Sequence, residues 1–194
     1  YKVLVIEAGG TDRRFWVNVP IGYGKLFFDQ RVNWKYKTQP DRGLNGRSDY
    51  WPRGKIIGGS SSINAMVYIR GQAEDYDDWE AAGNPGWGYR DVLPYFKKSE
   101  SNSRGADLYH SDSGELGVEN FRSVHPLNAV FFEGLAQLGL PANPDFNGAR
   151  QEGYGLYQLT TRGGVRSSTS KAFLRPALRR GNLRLEMNAE AMRI

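Results

Sequence analysis

Gly58 and Gly59 stand directly ahead of three serines, Ser60, Ser61 and Ser62, inside the run RGKIIGGSSSIN at Arg53–Asn64. An apolar stretch, AMVYIRG, follows, and the pattern predicts a helix beginning near Ser60. Glycine lets a backbone come within contact distance of a ligand, and the first turn of a helix presents unpaired N–H groups with a partial positive charge. Such a turn makes an anion site, most naturally for a phosphate or pyrophosphate. The same residues also suit an ordinary loop ending in a helix N-cap, and this run alone leaves both readings open. On the expected helix Ser60, Asn64 and Val67 share one face, with Ile63 beside them. That polar pair needs a ligand or backbone partner, because an unpaired buried amide costs about 1 to 3 kcal/mol.

A second feature lies at Tyr1–Ala8, YKVLVIEA. Val3 to Ile6 read as a buried, parallel strand, and Glu7 sits at its C-terminal end. In dinucleotide-binding βαβ units an acidic residue at that place hydrogen-bonds the adenosine ribose hydroxyls. A strand-end glutamate is also a common solvated edge residue, so Glu7 gains meaning from the glycine turn.

Other chemistries fail on spacing. A P-loop needs Ser or Thr after its lysine, but Ile56 follows Lys55. A hydrolase nucleophile elbow needs GxSxG, and Ser62 occupies the last glycine position after Gly58 and Ser60. A calcium loop started at Asp75 would place Glu80 where Gly is required and Gly86 where the bidentate Glu belongs. The acidic run Glu74–Glu80 therefore reads as a solvated helix face anchored by Trp79, and no metal site is expected. Of the two histidines, His125 precedes Pro126 at a helix start and His110 lies in a polar loop; neither sits where a general base is expected. Trp51, Tyr68, Tyr76, Trp79, Trp87, Tyr95 and Phe96 read as packing material, since no basic and aromatic interleaving of the RNA-recognition kind is present.

The chain resembles the glucose-methanol-choline (GMC) family of flavoprotein oxidoreductases, in particular its choline dehydrogenase-like and alcohol dehydrogenase-like members. The resemblance is carried by VIEAGG at Val5–Gly10, WPRGKIIGGSSSINAMVYIRG at Trp51–Gly71 and DYDDW at Asp75–Trp79. It continues through GWGYRDVLPYFKKSE at Gly86–Glu100, DFNGARQEGYG at Asp145–Gly155, RSSTSKAFLRPALRR at Arg166–Arg180 and NLRLEMNAEAMRI at Asn182–Ile194. It implies FAD as cofactor. Glu7 would hold the adenosine ribose, Gly58, Gly59 and Ser60 would approach the pyrophosphate, and Ile56 would touch the cofactor in the turn before them. Asn64, Ala65, Met66 and Val67 would run beside the flavin ring, and Ala191 would meet the adenine, where the family more often has Val. Some relatives attach FAD through a histidine just before the signature asparagine; Ile63 stands here, so a noncovalent flavin is expected.

The resemblance also implies flavin-dependent oxidation of an alcohol to an aldehyde or ketone, with a histidine taking the hydroxyl proton as hydride moves to flavin N5. That histidine is expected beyond position 194, and the family's GxGxxG turn ahead of position 1, so the chain reads as an internal piece of a longer enzyme that would be inactive alone. No residue within it is assigned a catalytic role. The acceptor that reoxidises the flavin stays open. The alternative is a noncatalytic nucleotide- or nucleic-acid-binding module, which the basic balance permits.

The elements that must position these residues follow from pattern and composition. With 194 residues, 39% of them hydrophobic and 13% aromatic, the chain can form a packed core. A net charge of +5 comes from dispersed Lys and Arg, which favours a solvated surface over a nucleic-acid groove. No stretch reaches the roughly 20 apolar residues of a membrane helix. The absence of cysteine excludes disulfides and fits a cytoplasmic protein, with peripheral membrane association as the variant reading. Loop follows the first strand, then an extended segment at Asn33–Asp41. Helices are expected at Glu74–Ala82, Tyr89–Ser99, Pro126–Gly139 and Ser167–Leu178, the last interrupted by Pro176, and strands at Glu115–Phe121, Tyr154–Thr161 and Leu183–Met187. The expected fold is α/β with an α+β insertion: a partial Rossmann-like FAD-binding domain at 1–110, part of a mixed substrate domain at 111–178, and a return to the first domain at 179–194.

Overall fold

The computed structural model describes residues 1–193. In chain order they begin with strand β1 (Val3–Glu7), short helices α1 (Phe15–Asn18) and α2 (Tyr23–Leu26), and strands β2 (Tyr36–Lys37), β3 (Tyr50–Trp51) and β4 (Val67–Tyr68). Helices α3 (Ala73–Ala81) and α4 (Tyr89–Ser99) follow, then strands β5 (Glu100–Asn102) and β6 (Leu116–Val118) and helix α5 (Leu127–Gln137). Strands β7 (Gln158–Leu159), β8 (Thr161–Arg162) and β9 (Val165–Arg166), helix α6 (Arg175–Leu178) and strand β10 (Leu183–Met187) complete the α/β arrangement. The chain divides into two compact units, Tyr1–Met66 with Gly163–Ile194, and Val67–Arg162. These limits differ from the boundaries expected at 110/111 and 178/179. Residues 67–110 pack with 111–162 through the parallel β5·β6 pair, and residues 163–178 pack with the first unit through contacts such as Arg175 to Asp12.

In the first unit the β-branched run of β1 pairs in parallel with β10, in the register Val3↔Leu183 to Glu7↔Met187. Both strands therefore end on the same side. Val3, Leu4 and Ile6 are 45 to 55% exposed, not buried as their apolar run suggests, because a two-stranded sheet covers only part of each strand. The core lies elsewhere in this unit: Val17 of α1, Leu26 of α2, Val32, Ile56 and Ile63 form one buried cluster. Each of these side chains contributes about 1.5 to 3 kcal/mol by leaving water. The expected helix at 167–178 is a π-helical segment, Ser170–Leu174, running into α6, with Pro176 in the first turn of α6. The wide turn relieves the clash that the Pro176 ring would make with the carbonyl four residues earlier.

In the second unit α3 starts with a capping box in which the Asp75 carboxylate accepts from the Gln72 N–H at 2.9 Å. Helix α4 spans the predicted residues, and Tyr76 packs its ring against Trp79, Tyr89 and Phe96. The acidic residues of α3 face solvent as expected, although Trp79 is itself half exposed. The alternating segment Tyr154–Thr161 yields two short strands, β7 and β8, of which β7 pairs with β4. Helix α5 forms where the apolar spacing places it, yet Leu127, Val130 and Phe131 lie open to solvent.

Candidate functional site

The carboxyl end of the β1·β10 pair is where parallel α/β sheets place ligands, because loops diverge there and backbone groups are free to turn outward. Glu7 closes β1, half-buried, and its Oε1 accepts from the Gly9 N–H at 2.7 Å. That bond uses one carboxylate oxygen and fixes the direction of the side chain. Beyond β10, the Asn188 N–H donates to the Gly9 carbonyl and the Ala189 N–H to the Glu7 carbonyl, each at 3.0 Å, which leads the exposed Ala191 past the same strand ends. Gly9 lies against the chain at Lys55: a Cβ there would stand 2.0 Å from the Lys55 carbonyl oxygen. This close approach lets Gly10 form a parallel bridge to Ile56, with the Ile57 N–H donating to the Gly10 carbonyl at 3.0 Å. Ile56 itself is fully buried in the core.

The glycine and serine turn departs from its sequence reading. No helix extends from Ser60 through Val67; a 3₁₀ turn, Gly59–Ser62, is followed by irregular backbone and then β4. Ser60, Asn64 and Val67 therefore do not share a helical face, and a four-residue turn carries no useful helix dipole. Local hydrogen bonds explain the break. The Ser61 hydroxyl donates to the Gly58 carbonyl and Ser62 to the Ile57 carbonyl at 2.7 Å, while Ser60 Oγ accepts from the Gly54 N–H at 3.1 Å. Asn64 Oδ1 then accepts from the Met66 N–H at 3.1 Å, which holds Met66 at φ +63°. Side chains that bond nearby backbone in this way compete with the helix ladder and end it.

Several of these groups suit a polar ligand. Gly59, at φ +56°, has no heavy atom within 4 Å of where a Cβ would be, while its N–H donates to the Ile56 carbonyl at 2.7 Å. Ser60 and Asn64 are exposed, Ala65 is half-buried, and Met66 is 2% exposed. Val67, 45% exposed, opens β4 in the second unit. Beneath the turn lies Arg166 of β9, which the sequence reading passed over. It is 1% exposed, and burial lowers its guanidinium pKa to about 10. Its Nε donates to the Val17 carbonyl at 2.8 Å, and its Nη1 donates to the Ser61 carbonyl at 3.0 Å and to Asn64 Oδ1 at 2.8 Å. Its Nη2 is buried with no hydrogen-bond partner. The available signal was an arginine opening a serine-rich segment, RSSTS, at the end of a strand pattern.

The second unit holds a buried ionic network that joins several of the matched motifs. Arg70 Nη2 donates to Glu100 Oε2 at 2.9 Å, with the two side chains 3% and 0% exposed. His110 faces carboxylates from both ring nitrogens, Nδ1 to Glu100 Oε1 at 2.9 Å and Nε2 to Asp145 Oδ2 at 2.8 Å. His110 is thus a buried imidazolium and not a residue of a solvated loop. The bond to Asp145, then that to Glu100, raises its pKa to about 9. Burial alone would raise both carboxylates, but hydrogen bonds from His110, the charge of Arg70 on Glu100 and the Asn147 N–H on Asp145 hold them below their ordinary values. Asn147 ties the network back to the signature segment by accepting from the Arg70 N–H at 2.7 Å. A raised histidine pKa contributes stability that is complete below about 6.5 and is lost as pH rises through about 9. The denaturant midpoint of this unit should accordingly fall between pH 6.5 and 9, and His110→Gln should flatten that slope; an unchanged slope in the variant would assign the loss to other groups.

Comparison with known proteins places this geometry. The sequence family described as GMC oxidoreductase matches residues 1–194. The chain belongs to the GMC oxidoreductase family. Among curated GMC-related proteins it is 43% identical over 200 residues to mitochondrial choline dehydrogenase of Homo sapiens, covering 100% of this chain and 34% of that protein. Its fold superposes on pyridoxine 4-oxidase from Mesorbium loti with a TM-score of 0.89 at 34% identity, covering 96% of this chain and 37% of the other. A FAD-dependent oxidoreductase from Chaetomium thermophilum gives a TM-score of 0.85 at 29% identity, with 95% and 34% covered. The chain thus spans about a third of the length of the curated relatives it matches. Among the described residues of this GMC chain no helix is long and apolar enough to cross a membrane.

Proposed function

We propose that the carboxyl end of the β1·β10 pair and the Gly58–Met66 turn hold FAD, and that the protein carrying this chain oxidises an alcohol to an aldehyde or ketone. The observation that carries the reading is the juxtaposition, at the carboxyl end of β1, of Glu7, the Lys55–Ile57 segment that leads into the glycine turn and the Asn188–Ala189 segment that leads to Ala191. Family membership supports it, as does the chemistry named for the relatives, since choline and pyridoxine are both primary alcohols. Glu7 binds the adenosine ribose hydroxyls; Gly58, Gly59 and Ser60 approach the pyrophosphate with backbone groups, with Ile56 in the preceding turn. Asn64, Ala65 and Met66, with Val67 next along the chain, line the flavin, and Ala191 borders the adenine.

When bound, FAD supplies the acceptor for the hydride leaving the carbinol carbon. The residues of this chain bind and orient it, and the buried network of the second unit holds part of the substrate domain in shape. His110 is committed to two carboxylates and the exposed His125 bonds its own helix start, its Nδ1 accepting from the Leu127 N–H at 3.2 Å, and neither is assigned as the base. Ile63, 2% exposed in the core and without a nucleophile, leaves the flavin noncovalent. The setting is cytoplasmic or peripheral to a membrane, and the partner is a small-molecule alcohol.

An absorption spectrum of the purified protein tests the reading. Flavin bands should be present, should bleach when a primary alcohol or choline is added without oxygen, and should pass entirely into the filtrate after denaturation. A flavin-free protein that retains DNA or RNA in a salt-sensitive manner would replace the oxidoreductase reading with a nucleic-acid-binding one.

A further inference from the structure

The buried guanidinium of Arg166 is costly, because each of its three placed hydrogen bonds goes to a neutral acceptor and Nη2 has none. An apolar side chain of similar volume would fill the space without that cost. What arginine alone provides is a planar fork that reaches the Val17 carbonyl, the Ser61 carbonyl and the Asn64 carboxamide at once. The third contact has a consequence one step further on. Asn64 Oδ1 has two donors, Arg166 Nη1 at 2.8 Å and the Met66 N–H at 3.1 Å. Met66 sits at φ +63°, a conformation that costs an ordinary side chain about 1 to 2 kcal/mol, so something must hold it there.

We propose that Arg166 is a positioning residue for the flavin-side run Asn64–Met66, acting through the Asn64 carboxamide. The proposal rests on the flavin reading above. Arg166 locks the carboxamide, the carboxamide fixes the Met66 amide, and the backbone that the flavin meets is set before the cofactor arrives. Lys171 adds rigidity from the same side, its Nζ donating to the Arg166 carbonyl at 2.9 Å. With the fork removed, the carboxamide turns, Met66 relaxes out of the left-handed region, and the cofactor must reorder the run on binding.

The test is titration of FAD into flavin-free wild type, R166K, R166M, N64A and the double variant R166K/N64A, read by dissociation constant and by the visible circular dichroism of the bound flavin. R166M and N64A should each weaken FAD by about tenfold or more, which is about 1.4 kcal/mol, and should alter the visible dichroism in the same way. R166K, which keeps the charge but loses the fork, should fall between R166M and wild type. The double variant should bind no more weakly than N64A alone, because the lysine then has no carboxamide to act through. Additive losses in that cycle, or an R166M protein with wild-type affinity and dichroism, would overturn the proposal. Should R166M fail to fold, the R166K and N64A cycle decides. A wild type that takes up no FAD sinks the flavin reading first, and this proposal with it.

Discussion

Gly9→Ala is expected to cost about 3 to 5 kcal/mol of stability, the severe end of overpacking, and to strip most of the FAD from the purified protein. The new methyl would stand 2.0 Å from the Lys55 carbonyl oxygen, 2.2 Å from its carbon and 2.5 Å from the Ile56 nitrogen. All three are backbone atoms, so no side-chain rotation relieves the clash. The strand end and the signature turn must separate, which breaks the Gly10↔Ile56 bridge and moves the amide that orients Glu7. Denaturant unfolding with the slope unchanged and the midpoint lowered is the expected result. A variant with the wild-type midpoint and full flavin content would show that this approach is not required.

Glu100→Gln is expected to be comparably severe, at about 3 to 5 kcal/mol, because it removes one charge from a buried network and leaves the Arg70 guanidinium without a carboxylate. Glutamine preserves shape but turns one acceptor oxygen into an NH2 donor facing donors from Arg70, Asn102, His110 or Ser111, so the loss combines charge with a lost hydrogen bond. The Arg70 guanidinium would keep its bond to the Tyr109 carbonyl at 2.7 Å but no carboxylate, and His110 would be left with Asp145. The His110 titration should then move down from about 9 while staying above that of a free histidine, since the Asp145 bond is its larger support. Proton NMR of the imidazole and denaturant unfolding read the two effects separately. An unshifted His110 titration in this variant would mean that Glu100 does not neutralise it.

Much of this was legible in the chain because it is encoded locally. The run Val3–Ile6 specifies a strand wherever its partner lies, and the apolar spacing from Leu127 to Leu138 specifies a helix. Glu7 and the Gly58–Ser60 turn are visible as residue types that chemistry at strand ends calls for, whereas the tight approach of Gly9 to Lys55 is not. What could not be read depends on residues far apart in sequence. The helix after Ser60 is ended by local serine and Asn64 bonds, and what was not visible is that the same Asn64 carboxamide also accepts from Arg166, roughly a hundred positions away. His110 looks like a loop residue among serines until Glu100 and Asp145 are brought to its two nitrogens. The exposure of β1 shows the reverse limit: its composition encodes burial, whereas its coverage depends on what packs against the sheet.

The parallel register of Val3 with Leu183 has a consequence for biogenesis. At about 5 to 20 residues per second, a ribosome needs on the order of 10 to 40 s to deliver the second strand after the first. The intervening unit, Val67–Arg162, is made within that interval. The VLVI segment therefore cannot take its β10 partner until Leu183–Met187 has been made, and this strand pair closes late in the synthesis of the chain.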